Sequence, residues 1–522
     1  MRAAKRATAV TMLLALFTAG AAAAAPAPPT SDPFYVPSGS PAGVSPGTVL
    51  RTRTIAMNFS GLPGVTGTQV LYRTTNQLGQ ASATVATIIH PPVPTGKLLS
   101  YQTFYDGVAA TCRPSYTLQN GAGSPGLEDA LMQPYLTQGF TIVTADYEGP
   151  ADDFGAGRES GQNTLDAIRA AEHVLGRPAG STPVGLLGYS GGSIASVWAA
   201  EIQPGYAPEL RLNGVAAGGI PADFAHNLKY VDGSSDWAGA IPAVGIGEAR
   251  AYHLNLGPYL SAAGARVAAK QEKGCIDPAG YPGLTFEKML RPQYQDWQKV
   301  PVFIRMFNDS ILGRGSTPAE PLLMRVGNRG DGGDGVMIAG DVQQLAYEYC
   351  RRGVNVDFQV LNGDDHYKAA VPFEASALAF LDARYAGTPA TNNCASIAPG
   401  NALTPLPTPK SPPPTPKSPP ARQRQRLRLR LRLRLRSVSV SPRRHGVAVS
   451  LSATGGTVRG VTVELTRSRR VRSRVRLTRV GAGARTVVLR VCNRMPAAGR
   501  YVLLVYVGHR RAFRRGVTIH RR

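Results

Sequence analysis

A serine set among glycines, Gly188-Tyr189-Ser190-Gly191-Gly192, is the stretch best equipped for chemistry. A serine hydroxyl is a weak nucleophile until a histidine takes its proton and an acid fixes that histidine's tautomer. The short run 184–187 before it is apolar, and 193–202 after it reads as a helix. Strand, sharp turn and helix would expose Ser190 Oγ and aim the free N–H groups of the helix start at a reacting oxygen. Glycine at 188 and 192 lets neighbouring backbone pass close. A bare Gly-x-Ser-x-Gly is common by chance, so the flanking elements are what give this one meaning.

A nucleophile on such a turn is followed in the chain by its acid and then by its base. That order thins the eight histidines. His90 and His173 precede Ser190. His226 and His253 fall in an irregular stretch, and His445, His509 and His520 lie beyond a Pro-rich segment. His366 remains, in the loop 362–366 just before a final helix. The acid belongs after the strand expected at 321–326. The loop 327–334 offers Asp331 and Asp334, and composition does not choose between them. Asp364 and Asp365 share the histidine's loop and read as turn formers. An oxyanion needs two N–H donors, of which Gly191 supplies one. The loop after an early strand should supply the other, and Tyr105-Asp106-Gly107 fits. No cluster of His, Cys and acids has metal-ligand spacing, and no cofactor is implied.

The elements that must hold these residues alternate. Strands are expected at 52–57, 69–74, 83–90, 98–105, 140–145, 184–189, 212–217, 321–326 and 356–361. Helices are expected at 126–138, 161–175, 342–352 and 372–385. Strands alternating with helices imply a mostly parallel sheet covered on both faces. Between about 222 and 300 the rhythm is lost among Gly, Pro and aromatic residues. That stretch is too long for a plain connection and reads as an inserted cap.

At 522 residues more than one domain is expected. The net charge of +25 is unevenly spread: residues 401–522 hold 30 Lys and Arg against one acid, Glu464, while residues 1–400 hold 28 against 32. Residues 1–25 look like a secretory signal peptide, with Arg2, Lys5 and Arg6 before an apolar core too short to span a membrane. Export would allow disulfides. Of five cysteines, the first four allow three pairings. Cys112–Cys275 with Cys350–Cys394 is favoured, because one bond clips two long loops and the other ties a helix end to the departing chain. Cys492 is left over. Residues 396–425 read as a stiff Pro-rich linker. Residues 426–522 open on a strict Arg-Leu alternation, continue as short period-two runs, and read as an Arg-rich β-sandwich-like domain. Its charge suits anionic envelope polymers or lipid surfaces. Nucleic acid is disfavoured, for want of an aromatic-interleaved motif.

The segment 188–192, followed by Trp198-Ala199-Ala200-Glu201, Tyr206-Ala207-Pro208-Glu209-Leu210 and Gly218-Gly219-Ile220-Pro221-Ala222-Asp223, resembles the secretory lipases typified by yeast lipase A. Asp146-Tyr147-Glu148-Gly149-Pro150 and Leu165-Asp166-Ala167-Ile168-Arg169-Ala170 extend the likeness, which covers about residues 40–395. The resemblance implies an α/β-hydrolase fold, a doubly wound, mostly parallel sheet with an inserted cap. It also implies hydrolysis of fatty acyl esters and a role in lipid catabolism. With Asp341 and Cys350 as its frame it selects Asp334 as the acid, places Asp106 at the oxyanion hole, and implies the same two disulfides. The acid loop 329–335 is longer and richer in glycine than the family pattern, which keeps Asp331 in play. The tail beyond the linker has no counterpart in the family.

Overall fold

The computed structural model describes residues 25–409, apart from 58, 60 and 120–125, together with the strands of a C-terminal unit between 435 and 519. The signal-peptide stretch up to 24, the Arg-Leu run up to 434 and Cys492 lie outside the described residues. The chain divides at Pro414 into two units.

The first unit is built on nine strands: β1 (Val49–Ala56), β2 (Thr66–Thr75), β3 (Ala81–His90), β4 (Leu98–Gln102), β5 (Thr141–Ala145), β6 (Pro183–Tyr189), β7 (Arg211–Gly218), β8 (Leu322–Asn328) and β9 (Val356–Asn362). Their spatial order is β1-β2-β3-β5-β4-β6-β7-β8-β9. The pairings from β1 to β5 are antiparallel, and those from β5 to β9 run parallel. Every residue of β4 and β5 is buried, as expected for parallel strands covered on both faces.

The helices are α1 (Pro114–Thr117), α2 (Gly126–Thr137), α3 (Gly157–Val174), α4 (Gly191–Tyr206), α5 (Phe224–Tyr230), α6 (Ala240–Ala251), α7 (Ala262–Gln271), α8 (Phe286–Met289), α9 (Pro301–Asp309), α10 (Ala339–Arg351) and α11 (His366–Tyr385). Alternate residues of β6 serve the two faces. Leu186 packs with residues of α3, α4, α10 and the cap, whereas Leu187 and Tyr189 pack with α2 and α11.

Three elements differ from the sequence-based expectation. The cap is not merely irregular: α5 to α9 fill it, and it runs to Asp309 before the chain returns to β8. Strand β4 stops at Gln102, and the chain turns out through Asp106, whose φ is 22°. The last helix starts at His366 rather than 372. Its first turn is capped by Asp365, whose carboxylate accepts from Lys368 N at 3.0 Å. Pro372 then sits inside the helix, where it removes one backbone donor instead of marking the start.

The second unit carries seven strands, β10 (Leu435–Arg443), β11 (Gly446–Ala453), β12 (Val458–Arg467), β13 (Arg470–Val480), β14 (Arg485–Leu489), β15 (Gly499–Val507) and β16 (Arg510–Ile519). They form two antiparallel sheets, β10-β11-β14 and β13-β12-β15-β16. On β12, Val461, Val463 and Leu465 are buried on one face. Glu464 on the other face pairs with Arg474 at 2.6 Å.

Candidate active site

Ser190 closes β6 and caps α4 with φ 54° and ψ −123°, a left-handed conformation that costs a non-glycine residue strain. The turn is held because Ser190 N donates to Gly218 O at 2.9 Å, and Ser193 Oγ donates to Ser190 O at 2.6 Å. The flanking glycines are sterically required. A Cβ on Gly188 would lie 2.2 Å from Gly192 O, and one on Gly192 would lie 2.1 Å from Gln102 O.

His366 begins α11 and brings its ring to the serine. Nε2 stands 2.8 Å from Ser190 Oγ, and Nδ1 stands 2.8 Å from Asp334 Oδ2. Asp334 is fully buried, and its other oxygen accepts from Val336 N at 3.0 Å and Met337 N at 2.7 Å. His366 N donates to Asp334 O at 2.9 Å, which ties the two loops together. The imidazole lies between Tyr189, ring centroids 5.1 Å apart, and Trp237 of the cap, edge-on at 5.0 Å. Tyr189 OH donates to His366 O at 2.5 Å. Asp331 is placed elsewhere: it is exposed, accepting from Tyr230 OH at 2.8 Å and Arg329 Nε at 2.8 Å.

Asp106 is buried after β4, against the helix start that follows Ser190. A Cβ on Gly191 would fall 1.5 Å from Asp106 Oδ1. That oxygen has no hydrogen-bond partner, and burial pushes the carboxyl up from 3.8 to about 7, against the opposing pull of His366. Its loop is fastened to the cap. Asp106 O accepts from Ile276 N at 2.8 Å, Gly107 bridges to Cys275, and Cys275 is bonded to Cys112. Cys350 at the end of α10 is bonded to Cys394.

Ser190, Gly191 and Asp106 open onto a cavity of about 460 Å³ walled by apolar cap residues such as Phe224, Val231 and Val244. A second, wholly apolar cavity of about 510 Å³ lies deeper in the cap, between α6 and α9. Leu228 borders both. Sequence reasoning did not find Trp237, because nothing in an irregular stretch distinguishes one aromatic residue from another. It placed Asp106 by its backbone, and only the structure reveals that the carboxyl faces the serine.

A doubly wound sheet with Ser190 at the carboxyl end of a central strand and a cap over it defines an α/β-hydrolase. The secretory lipase family model matches residues 118–393, and the chain belongs to that family. It is 33% identical to a protein of Mycobacterium tuberculosis named a probable inactive lipase, over 70% of this chain and 84% of that one. It is 31% identical to lipase 10 of Candida albicans, over 72% and 86% of the two chains. The closed-state structure of Candida antarctica lipase A aligns with a TM-score of 0.66 and 27% identity, covering 74% of this chain and 93% of that one. Among the described residues no helix is long and apolar enough to cross a membrane.

Proposed function

We propose that this chain is a secreted carboxylic-ester hydrolase, a lipase releasing fatty acids from acyl esters such as triacylglycerol. Ser190, His366 and Asp334 form its triad. The observation that carries the reading is the continuous relay from Asp334 through His366 to Ser190, with both links at 2.8 Å, at the floor of an apolar cavity. In the reaction His366 Nε2 takes the Ser190 proton as Oγ attacks the ester carbonyl. The oxyanion is met by the N–H of Gly191 and by Asp106, whose neutral carboxyl can also donate a hydrogen bond. Collapse expels the alcohol, which takes the proton from Nε2. Water, deprotonated by His366, then cleaves the acyl-serine and frees the fatty acid. Asp334 holds the Nδ1–H tautomer and supports the imidazolium.

The mycobacterial relative's name raises the question of activity. Here the three side chains are all present and hydrogen-bonded, which supports a working enzyme. Emulsified triacylglycerol and a peptide library, offered to the wild type and to Ser190→Ala, test the reading. Fatty-acid release that depends on Ser190 supports it; Ser190-dependent cleavage of peptides alone makes the chain a peptidase; release undiminished in Ser190→Ala sinks the mechanism. Export by the leader at 1–25 and two disulfides in the core are consistent with work outside the cell. In this arrangement 26–395 is the catalytic domain, 396–425 the linker, and 426–522 a basic domain that adheres to anionic envelope or lipid surfaces. Adhesion that persists unchanged at 1 M salt would contradict an electrostatic tail.

A further inference from the structure

Beyond α11 the chain stays on the core. Ile397 is buried in the main core, and Leu403 and Leu406 pack against it. Along α10, Gln343 Nε2 donates to the carbonyls of Ala398 and Pro399, Gly400 N donates to Gln344 Oε1, and Asn401 N donates to Gly340 O. The two backbones meet closely: a Cβ on Gly400 would lie 2.0 Å from Gly340 O. Asn401 Nδ2 donates to Asp341 Oδ1 at 2.8 Å, while Oδ2 of the same carboxyl faces His226 Nδ1 of cap helix α5 at 2.9 Å.

The segment then reaches α9. There one side chain, Asn308, takes both backbone groups of Leu406. Leu406 N donates to Oδ1 at 2.7 Å, and Nδ2 donates to Leu406 O at 3.0 Å. Leu406 stands between Pro405 and Pro407, which have no N–H to offer. Asn308 is therefore matched to the one backbone donor of that triplet. On the same helix, Phe303, Met306 and Phe307 wall the deeper apolar cavity.

We propose that residues 397–406 are a strap that holds α9 in place and so shapes the deeper cavity as the seat of a long acyl chain, with Asn308 as a positioning residue. The acyl part of this proposal rests on the ester-hydrolase reading; the strap itself does not. Losing the clasp frees α9 to shift its three apolar side chains. A long acyl chain that reaches the deeper cavity then binds less well, while a short ester confined to the cavity beside Ser190 is indifferent.

The test uses full-length Asn308→Ala and Gly400→Val, two changes on different elements and away from Ser190, His366, Asp334 and Asp106. The readouts are hydrogen exchange and steady-state kinetics on p-nitrophenyl butyrate and palmitate. In both variants, amides in 301–309 and 400–406 should exchange about tenfold faster, as expected when a pair of hydrogen bonds is lost. KM for the palmitate should rise by roughly three- to tenfold, with kcat on the butyrate within about twofold of wild type. Unchanged exchange in α9 overturns the strap. Faster exchange with an unchanged palmitate KM overturns its link to the acyl seat. Exchange that rises equally throughout the sheet marks general destabilisation and also overturns the assignment. Wild-type protein that cleaves neither ester defeats the hydrolase reading, and exchange then still decides the strap.

Discussion

Asp106→Asn separates a buried acid that must stay neutral from one that merely packs. The carboxyl is 8% exposed, one of its oxygens has no partner, and burial lifts it from 3.8 to about 7. The sign follows from which state holds the proton. Below about pH 4 both folded and unfolded chains are protonated, so the stability tied to this group is fully present. As the pH climbs toward 7 the unfolded chain releases its proton while the folded chain keeps it. The folded state therefore loses ground, by about 4 kcal/mol once the pH has passed the folded value. Asparagine does not titrate, although its buried amide carries a pH-independent cost of about 1–3 kcal/mol. Asp106→Asn should thus be no more stable than wild type at pH 4 and more stable at pH 9, a reversal visible as a crossing of the two apparent Tm curves. The same ionisation places a negative charge beside the oxyanion. The wild-type rate should therefore fall on an alkaline limb centred near pH 7 that the variant lacks, while the acid limb set by His366 is common to both. A Tm difference that stays constant from pH 4 to pH 9, with the alkaline limb intact in the variant, would refute the reasoning.

Further outcomes follow from single contacts. Asp334→Asn should lower kcat by about 10⁴-fold, whereas Asp331→Asn should stay within about twofold, because Asp331 pairs with Arg329 at the surface; steady-state kinetics on a soluble ester decides both. Gly192→Ala should lower stability by about 2–3 kcal/mol and nearly abolish turnover, since its Cβ would lie 2.1 Å from Gln102 O; equilibrium denaturation and an esterase assay report the two effects. Replacing Cys112 and Cys275 together by Ser removes a bond between residues 163 apart. It should cost about 4–5 kcal/mol on the loop-entropy account, measured by urea unfolding, and should raise KM by loosening the loop that carries Asp106.

Much of this architecture is written in short-range pattern. Runs such as 141–145 and 184–189 are apolar throughout, and that is how a central parallel strand reads before any tertiary contact is known. Chain order then isolated His366, because a fold with the serine at a strand end leaves one loop for the base. The start of α11 was not legible in the same way. Pro372 looks like a first helical residue, and only the cap made by Asp365 reveals that the helix begins a turn and a half earlier. Asp331 and Asp334 are equivalent in composition and differ in burial, which depends on how the loop folds back through Val336 and Met337. Residues 397–406 read as free linker because they are rich in proline. Their docking depends on glycine and asparagine contacts that leave no periodic trace.

The Cys112–Cys275 bond carries a mechanical consequence. A cap joined to its core only where the chain enters and leaves is a flap, able to swing about one edge. This one enters after β7 and returns at β8, but it is also riveted midway, at Cys275, to the loop that bears Asp106. It is an arch on three footings. Its two spans, 224–274 and 276–320, can flex only separately, and the rivet keeps the oxyanion loop in register with the roof above it.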